Sequence, residues 1–295
     1  MTSMTDYRLS HGLTWSRGVQ FANENRAILI SVTTLFLLAL IAVFADLIGG
    51  PDPLHIRPRA RLTPPGAAFW FGSDALGRDV FGLVVHGARL SLLIGALTAL
   101  FSAVIGTVLG LIAGYFRGVD AILMRIMDGL MAIPGVLFAV ALVSLVGPSL
   151  MSVVAAISFA DIPRVTRLVR SVVLTVREEA YVRAAEGMGI PAWRVMFRHI
   201  MPSCVAPLVV QITYIFAAAI LAEAILGFLG VGFPPDIPTW GNVLAAGRSV
   251  FQRGPWTILA PGLFLSVTVM AVNVLGDRLR DRLDPKLSRK ARVST

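Results

Sequence analysis

The residues that could carry out chemistry in this chain are few, and their spacing excludes most kinds of active site. A phosphate-binding loop needs the pattern G-x-x-x-x-G-K-[ST], but the only lysines are Lys286 and Lys290, and neither follows a glycine. The histidines lie far apart, without metal-ligand spacing, at His11, His55, His86 and His199. No G-x-S-x-G or H-E-x-x-H motif occurs. We therefore expect no catalytic residue, no metal site and no cofactor bound by this chain itself.

Polar side chains inside long apolar stretches are the next candidates, because a charge at the centre of a bilayer costs about 2.5–3.5 kcal/mol on insertion scales. Asp161 either pairs with Arg164 one turn along a helix or lines an aqueous path. Glu223 lies near the end of its apolar stretch, where partial solvation would favour a structural role. With Asn273, these two acids are the candidate residues of a translocation path.

The composition is that of a polytopic membrane protein. Of 295 residues, 56% are hydrophobic and 15% are charged, and the mean hydropathy is +0.77, whereas soluble domains have roughly 25% charged residues. The net charge of +9 does not indicate nucleic-acid binding, because the charges lie between apolar runs and not on one basic face. Cys204 is the only cysteine, so no disulfide can form within the chain.

Apolar runs of span length predict an all-α membrane protein with six transmembrane helices, since about 20 helical residues cross a bilayer. The fourth predicted span is interrupted by charges, and Gly147-Pro148-Ser149 separates it from the third. A polar stretch rich in proline and glycine, residues 49–88, predicts a long external loop. The six predicted spans are residues 27–48, 90–116, 122–146, 150–170, 205–231 and 256–276.

The distribution of basic residues predicts the orientation. With both termini inside, 19 of the 26 lysines and arginines lie on the cytosolic side, as the positive-inside rule favours. This topology gives cytosolic tails at 1–26 and 277–295, and a core of five helices at 89–276 with a cytosolic loop at 171–203. No sequence feature explains the external cluster of Arg57, Arg59 and Arg61.

The stretch from Glu178 to Pro202 is the longest polar-patterned segment of the core, and it predicts two short helices. Gly187 and Gly189 would end the first, Pro191 would begin the second, and Pro202 would close it. In the second helix the pattern groups Trp193, Val195, Met196 and Ile200 on one apolar face. Physical reasoning alone does not decide between a loop that fixes orientation and a docking surface for a partner.

Ala184-Ala185, Gly189 and Pro202 resemble the cytosolic loop of ABC-importer permeases, which docks into a groove of an ATPase subunit. The variants Y-V-x-A-A and R-H-x-x-P resemble the branch that transports dipeptides, oligopeptides and nickel. This chain departs from the common pattern at Arg183, His199 and Met201. The resemblance implies ATPase-contact residues at Glu179, Tyr181, Arg183, Ala184, Ala185, Gly189, Arg198 and Pro202.

Further blocks extend the resemblance over roughly residues 70–285. They are F-G-S-D-A-L-G-R-D-V-F at 71–81, G-A-R-L-S-L at 87–92, L-G-F-L-G-V-G-F-P-P at 226–235, P-T-W-G at 238–241 and L-G-D-R-L-R-D-R-L-D-P at 275–285. In the first block, Asp74 or Asp79 could accept backbone N–H groups at the start of a helix. We favour that capping role over contact with a substrate.

The resemblance implies the C-type membrane subunit of a dipeptide or oligopeptide importer, with the type I ABC importer permease fold. It implies a homologous second permease, two ATPase subunits that hold ATP and magnesium, an external solute-binding protein, and the bacterial inner membrane as location. A permease for nickel or another small solute, such as glutathione or an opine-like compound, remains an alternative. Two other classes of protein are less favoured. An ion-gradient secondary transporter would need paired intramembrane carboxylates and inverted repeats. An intramembrane hydrolase would need a nucleophile–base pair, which this sequence does not show.

Overall fold

The computed structural model describes residues 26–283, and this part of the chain is helical without a β-strand, which confirms the all-α prediction. The predicted tails at 1–26 and 277–295 lie outside the described residues, except for Arg26 and the end of the last helix. The helices in chain order are α1 (Arg26–Val43), α2 (Ala45–Ile48), α3 (Val80–Tyr115), α4 (Arg117–Met131), α5 (Gly135–Val146), α6 (Leu150–Val176), α7 (Ala180–Gly187), α8 (Ala192–Arg194), α9 (Met201–Phe228), α10 (Trp240–Arg248) and α11 (Trp256–Leu283).

Long apolar helices occupy four of the predicted spans. Within residues 26–283, the helices that are long and apolar enough to cross a membrane are Arg26–Val43, Val80–Tyr115, Ala192–Phe228 and Trp256–Leu283. α6 is a helix where the fourth span was predicted, but it is not among these four. Its charged residues lower its hydropathy: Asp161, Arg164, Arg167 and Arg170.

The third predicted span is wrong as a single helix. It consists of α4 and α5, whose axes differ by 83° across a short break. By length and composition, the two helices together could form one further, bent span. Pro134 immediately precedes α5. Proline has no N–H to donate and disfavours helical angles in the residue before it, so the helix cannot continue straight through this position.

The central packing of the molecule joins α3 to α6 through glycines. A Cβ added to Gly106 would lie 2.5 Å from the Cβ of Val165, and one added to Gly114 would lie 2.5 Å from the Cβ of Val173. Residue numbers rise together in the two helices, from Gly106 and Val165 to Gly114 and Val173, so α3 and α6 run parallel. Glycines at these positions therefore let the two helices pack closely, and α4 and α5 must return the chain between them.

The second span begins earlier than predicted, at Val80 instead of residue 90. Asp79 is its N-cap and accepts the Phe81 N–H at 3.0 Å, which confirms the predicted capping role. Arg89, which precedes the predicted span of residues 90–116, lies within the helix. Its guanidinium donates to the Ala42 carbonyl at 2.7 Å and to Asp46 at 2.8 Å, and these bonds fasten the end of α1 to α3.

Pro202 does not close the second short helix, contrary to the prediction. The chain is helical without interruption from Ala192 to Phe228. A π-helical stretch, Val195–Ile200, precedes Pro202, and the Met201 N–H donates to the Met196 carbonyl five residues earlier. Because Pro202 lies in the first turn of α9, just after this wider turn, its missing N–H is tolerated.

Candidate functional site

The segment between α6 and α9, residues 177–200, is called the coupling segment here. It contains α7 and α8, joined by a tight turn in which Gly189 has φ +76°. The Gly189 N–H donates to the Glu186 carbonyl at 2.9 Å, and the Ile190 N–H donates to the Ala185 carbonyl at 3.2 Å. Only glycine adopts this left-handed backbone at low cost, so the predicted turn at Gly189 is confirmed.

Most of the predicted contact residues lie on the outside of this part of the molecule. The side chains that solvent reaches are Glu179, Tyr181, Arg183, Ala184, Gly189, Arg198 and Pro202. No partner chain is present, so their contact with an ATPase stays a prediction. Their exposure is what such a contact requires.

Ala185 does not share this exposure, and its predicted role in the contact stays a prediction. It is only 2% exposed and lies in one buried apolar cluster with Val182, Val195, Met196 and Val173 of α6. Each helical residue turns the side-chain direction by about 100°, so Ala184 faces outward while its neighbour faces the core. A pair of alanines carries no sequence signal of which one is buried.

An apolar surface on the coupling segment was missed by the sequence pattern. Met188 is 74% exposed, and Trp193, Phe197 and Tyr181 are at least half exposed. The pattern had placed Trp193 with the buried residues, but it projects outward with the Arg194 guanidinium 5.0 Å from its ring centroid. The π-helical stretch changes the angular step after Arg194, so an α-helical pattern misplaces this residue. Exposed large apolar side chains in one region mark an interaction surface.

The charges at the start of the coupling segment hold it against the bundle. Arg183 donates to Glu178, and this hydrogen bond, with the adjacent positive charge, holds the pKa of the Glu178 carboxyl below its usual value. Arg177 lies 3.4 Å from the other Glu178 oxygen, and its Nη1 donates to the Gly114 carbonyl at the end of α3 at 2.8 Å. The segment is thus tied to α3 as well as to α6.

Asp161 is buried in α6 and forms an ion pair with Arg164. The Arg164 Nη1 donates to its Oδ1 at 2.6 Å, and the Arg164 side chain is 56% exposed. Nearer the end of α6, Arg167 pairs with Asp128, and Arg170 pairs with Asp120 of α4. These pairs give each charge on this side of α6 a partner.

Glu223 is more deeply buried than predicted. It is 2% exposed, so partial solvation does not relieve its charge. Its Oε2 accepts the Ser91 hydroxyl at 3.0 Å, and the same hydroxyl oxygen accepts the Trp240 N–H at 3.2 Å. Thr239, the N-cap of α10, also interacts with the carboxylate. These bonds join α9, α3 and α10.

The three candidate path residues do not form one site. Asn273 is half-buried on α11 and lines a groove with Leu221 and Asp277. Neither that groove nor the contacts of Glu223 include Asp161. Among residues 26–283, no group of three or more His, Cys, Asp or Glu side chains is arranged to hold a metal ion.

The turn before α3 is built by Asp74, which the sequence had offered as an alternative cap. Its Oδ1 accepts the N–H groups of Leu76 and Arg78, each at 2.8 Å. The turn also accounts for part of the arginine cluster. The Arg61 Nε donates to the Ala75 carbonyl at 2.6 Å, and the Arg57 guanidinium lies 5.5 Å from the centre of the Phe69 ring.

Known proteins similar to this chain are described as membrane components or permeases of transport systems. The family model described as "Binding-protein-dependent transport system inner membrane component" matches residues 106–289. The chain is 50% identical to a probable peptide ABC transporter permease, y4tQ, of Sinorhizobium fredii, over 92% of this chain and 93% of that protein. It is 41% identical to the dipeptide transport system permease DppC of Alkalihalophilus pseudofirmus, over 92% and 90%.

The fold is similar to that of a chain in the MetNI methionine ABC transporter in an inward-facing conformation. The TM-score is 0.56 at 18% identity, and the match covers 68% of this chain and 96% of the other. At this identity the likeness concerns the fold alone, and it agrees with the type I importer permease fold. The family match and these relatives, taken with the exposed coupling segment, show that the chain belongs to the family of binding-protein-dependent inner-membrane transport components, the permeases of ABC importers.

Proposed function

We propose that this chain is the permease subunit through which dipeptides or oligopeptides cross the bacterial inner membrane. An external solute-binding protein delivers the substrate, a homologous second permease completes the pathway, and two ATPase subunits supply the driving force. The names of the peptide-transport relatives and the identity over nine-tenths of the chain support this substrate class.

The observation that carries the proposal is the attachment of the coupling segment to the bundle. Its outer side presents Ala184, Met188 and Phe197, while its buried residues belong to the same apolar cluster as Val173 of α6. A partner that moves the segment therefore moves α6 with it. Because Gly114 of α3 packs directly on Val173, α3 follows α6. ATP-driven closure of the ATPase dimer would in this way open the bundle outward.

We propose six crossings with both termini in the cytosol. α3 and α6 run parallel, so the bent pair of α4 and α5 serves as the return crossing. α6 then crosses despite its charges, because the partly exposed Arg164, Arg167 and Arg170 are paired with acids. The distribution of basic residues supports the same orientation. In this proposed orientation the coupling segment lies inside and α10 lies outside.

The proposal is tested by reconstituting the four-subunit complex with its binding protein and following ATP-dependent uptake of a labelled dipeptide. We expect uptake and ATP hydrolysis that both require the loaded binding protein. Uptake driven by an ion gradient without ATP would contradict the proposal, and uptake of nickel but no peptide would favour the other substrate class.

A further inference from the structure

A cleft of about 490 Å³ opens at the end of the bundle where α3 begins, close to α10. It is distinct from the coupling segment, and none of the three candidate path residues lines it. Its walls are mainly apolar and come from four parts of the chain: Leu83 of α3, Val143 of α5, Phe233 in the loop after α9, and Val243 of α10. The volume is in the range of small-molecule sites, roughly 300–1,000 Å³.

Among residues 26–283, Arg78 is the only charged residue that lines this cleft. Its Nε donates to the Asp74 Oδ2 at 2.6 Å, and the Arg78 side chain is 12% exposed. Asp74 is itself fixed by two backbone N–H groups, so the guanidinium is held from one side. Its terminal Nη atoms donate to no other residue in the part of the chain that the structure describes. A well-oriented guanidinium with unused donors suits a planar carboxylate.

The loop wall of the cleft is fixed before any ligand arrives. The Asn242 side-chain amide donates to the carbonyls of Phe233, Pro234 and Ile237 at 2.9–3.0 Å. These bonds hold the proline-rich loop against α10 and occupy the Asn242 donors. The positive charge of Arg78 would therefore favour a negatively charged group of a ligand, and the apolar walls would contact an apolar side chain.

We propose that this cleft binds the C-terminal residue of a peptide, with its carboxylate on the Arg78 Nη atoms and its side chain against the apolar walls. The inference rests on the proposed function and names an external receiving site for the same substrate. A free α-amino group does not suit the cleft, because it would face the positive charge of Arg78 and no acidic residue among residues 26–283 lines the cleft. The preference is for peptides with a free carboxylate over peptide amides.

The test uses the assembled complex without its binding protein, because that protein could select carboxylates by itself. Ala246 lines the cleft and is exposed, whereas the native Cys204 is buried. In the Ala246→Cys variant, a membrane-impermeant maleimide added from outside reports access to the cleft. We expect alanyl-phenylalanine to slow the labelling, and its C-terminal amide to need about tenfold higher concentration for the same effect, as for loss of one charge-assisted hydrogen bond.

Arg78→Gln in the same background should remove the difference between the acid and the amide. Arg253→Gln, an exposed arginine that does not line the cleft, should keep it. If Arg78→Gln does not assemble, Ala246→Trp, which fills the cleft, should lower uptake by the complex supplied with its binding protein, while Ser249→Trp outside the cleft should not. Equal protection by acid and amide, or no protection by either, overturns the inference. If the wild-type complex supplied with its binding protein takes up no peptide at all, the proposed function itself fails.

Discussion

Gly110 of α3 lies directly against Val169 of α6. A Cβ added to Gly110 would be 2.6 Å from the Cβ of Val169 and 2.7 Å from the carbonyl oxygen of Thr166. The contact sits between the equivalent contacts of Gly106 and Gly114, so three turns of α3 press their backbone against a row of valines. Backbone contact of this kind fixes the two helices to each other more firmly than interdigitated side chains would.

Gly110→Ala should therefore destabilise the folded permease by about 1–3 kcal/mol, because the added methyl group overpacks a contact with backbone on one side. Gly118→Ala in α4 is the matched control, since an added Cβ there meets nothing within 4 Å. Thermal unfolding of the detergent-solubilised complex measures both. Equal midpoints for the two variants would contradict the packing argument.

Ala184→Glu should leave the permease folded and inserted but abolish co-purification of the ATPase and peptide uptake. Ala184 is exposed on the coupling segment, so a glutamate would place an unpaired charge in the proposed interface, at a cost of several kcal/mol. Ala185→Glu should instead lower the amount of folded permease itself, because Ala185 is 2% exposed. Ser249→Glu, exposed at the other end of the bundle, is the control for an added charge. Normal assembly of the Ala184→Glu complex would remove the coupling role of this surface.

Asp161 and Arg164 allow the pairing role to be separated from a role in an aqueous path. If pairing is the whole role, Asp161→Asn and Arg164→Gln should each reduce uptake, and the double variant should recover most of it. If Asp161 also faces the path, uptake should remain low in the double variant while the amount of complex stays normal. We predict the second result, because an acid inside a span next to Pro163 is typical of a functional position. The ratio of uptake to assembled complex is the measurement.

Ser91→Ala should destabilise the end of the bundle where α3, α9 and α10 meet. The Ser91 hydroxyl donates to Glu223 and accepts from the Trp240 N–H, so its removal leaves two buried groups without this partner. Each unsatisfied group costs about 1–3 kcal/mol. Ser91→Ala combined with Glu223→Gln should recover part of the loss, since the buried charge is then absent. Ser266→Ala, exposed on α11, is the control in the same thermal assay.

The purified subunit, free of ATPase, should bind no nucleotide. The chain has no phosphate-binding loop, and neither lysine follows a glycine. Equilibrium binding of a fluorescent ATP analogue to the subunit and to the assembled complex makes the comparison. Saturable binding to the subunit alone, at a stoichiometry near one, would falsify the assignment of ATP to partner subunits.

Local chemistry made several features predictable. Hydropathy placed four spans, because a run of apolar side chains is a property of the chain before it folds. Asp79 capped α3 and Gly189 formed the turn of the coupling segment, since both effects act over a few residues. The motif Ala184-Ala185 with Gly189 and Pro202 was enough to suggest the family.

The sequence by itself thus determined the class of the protein, its apolar helices and the position of its coupling segment. Only the tertiary structure decided which side chains face each other. It placed Ala185 in the core and Ala184 outside, bent the third predicted span at Pro134, and buried Glu223 between α3 and α10. The physical reason is that burial depends on residues far away in the chain: Ser91 donates a hydrogen bond to Glu223 across 132 positions, and a local hydropathy pattern contains no information about such a partner.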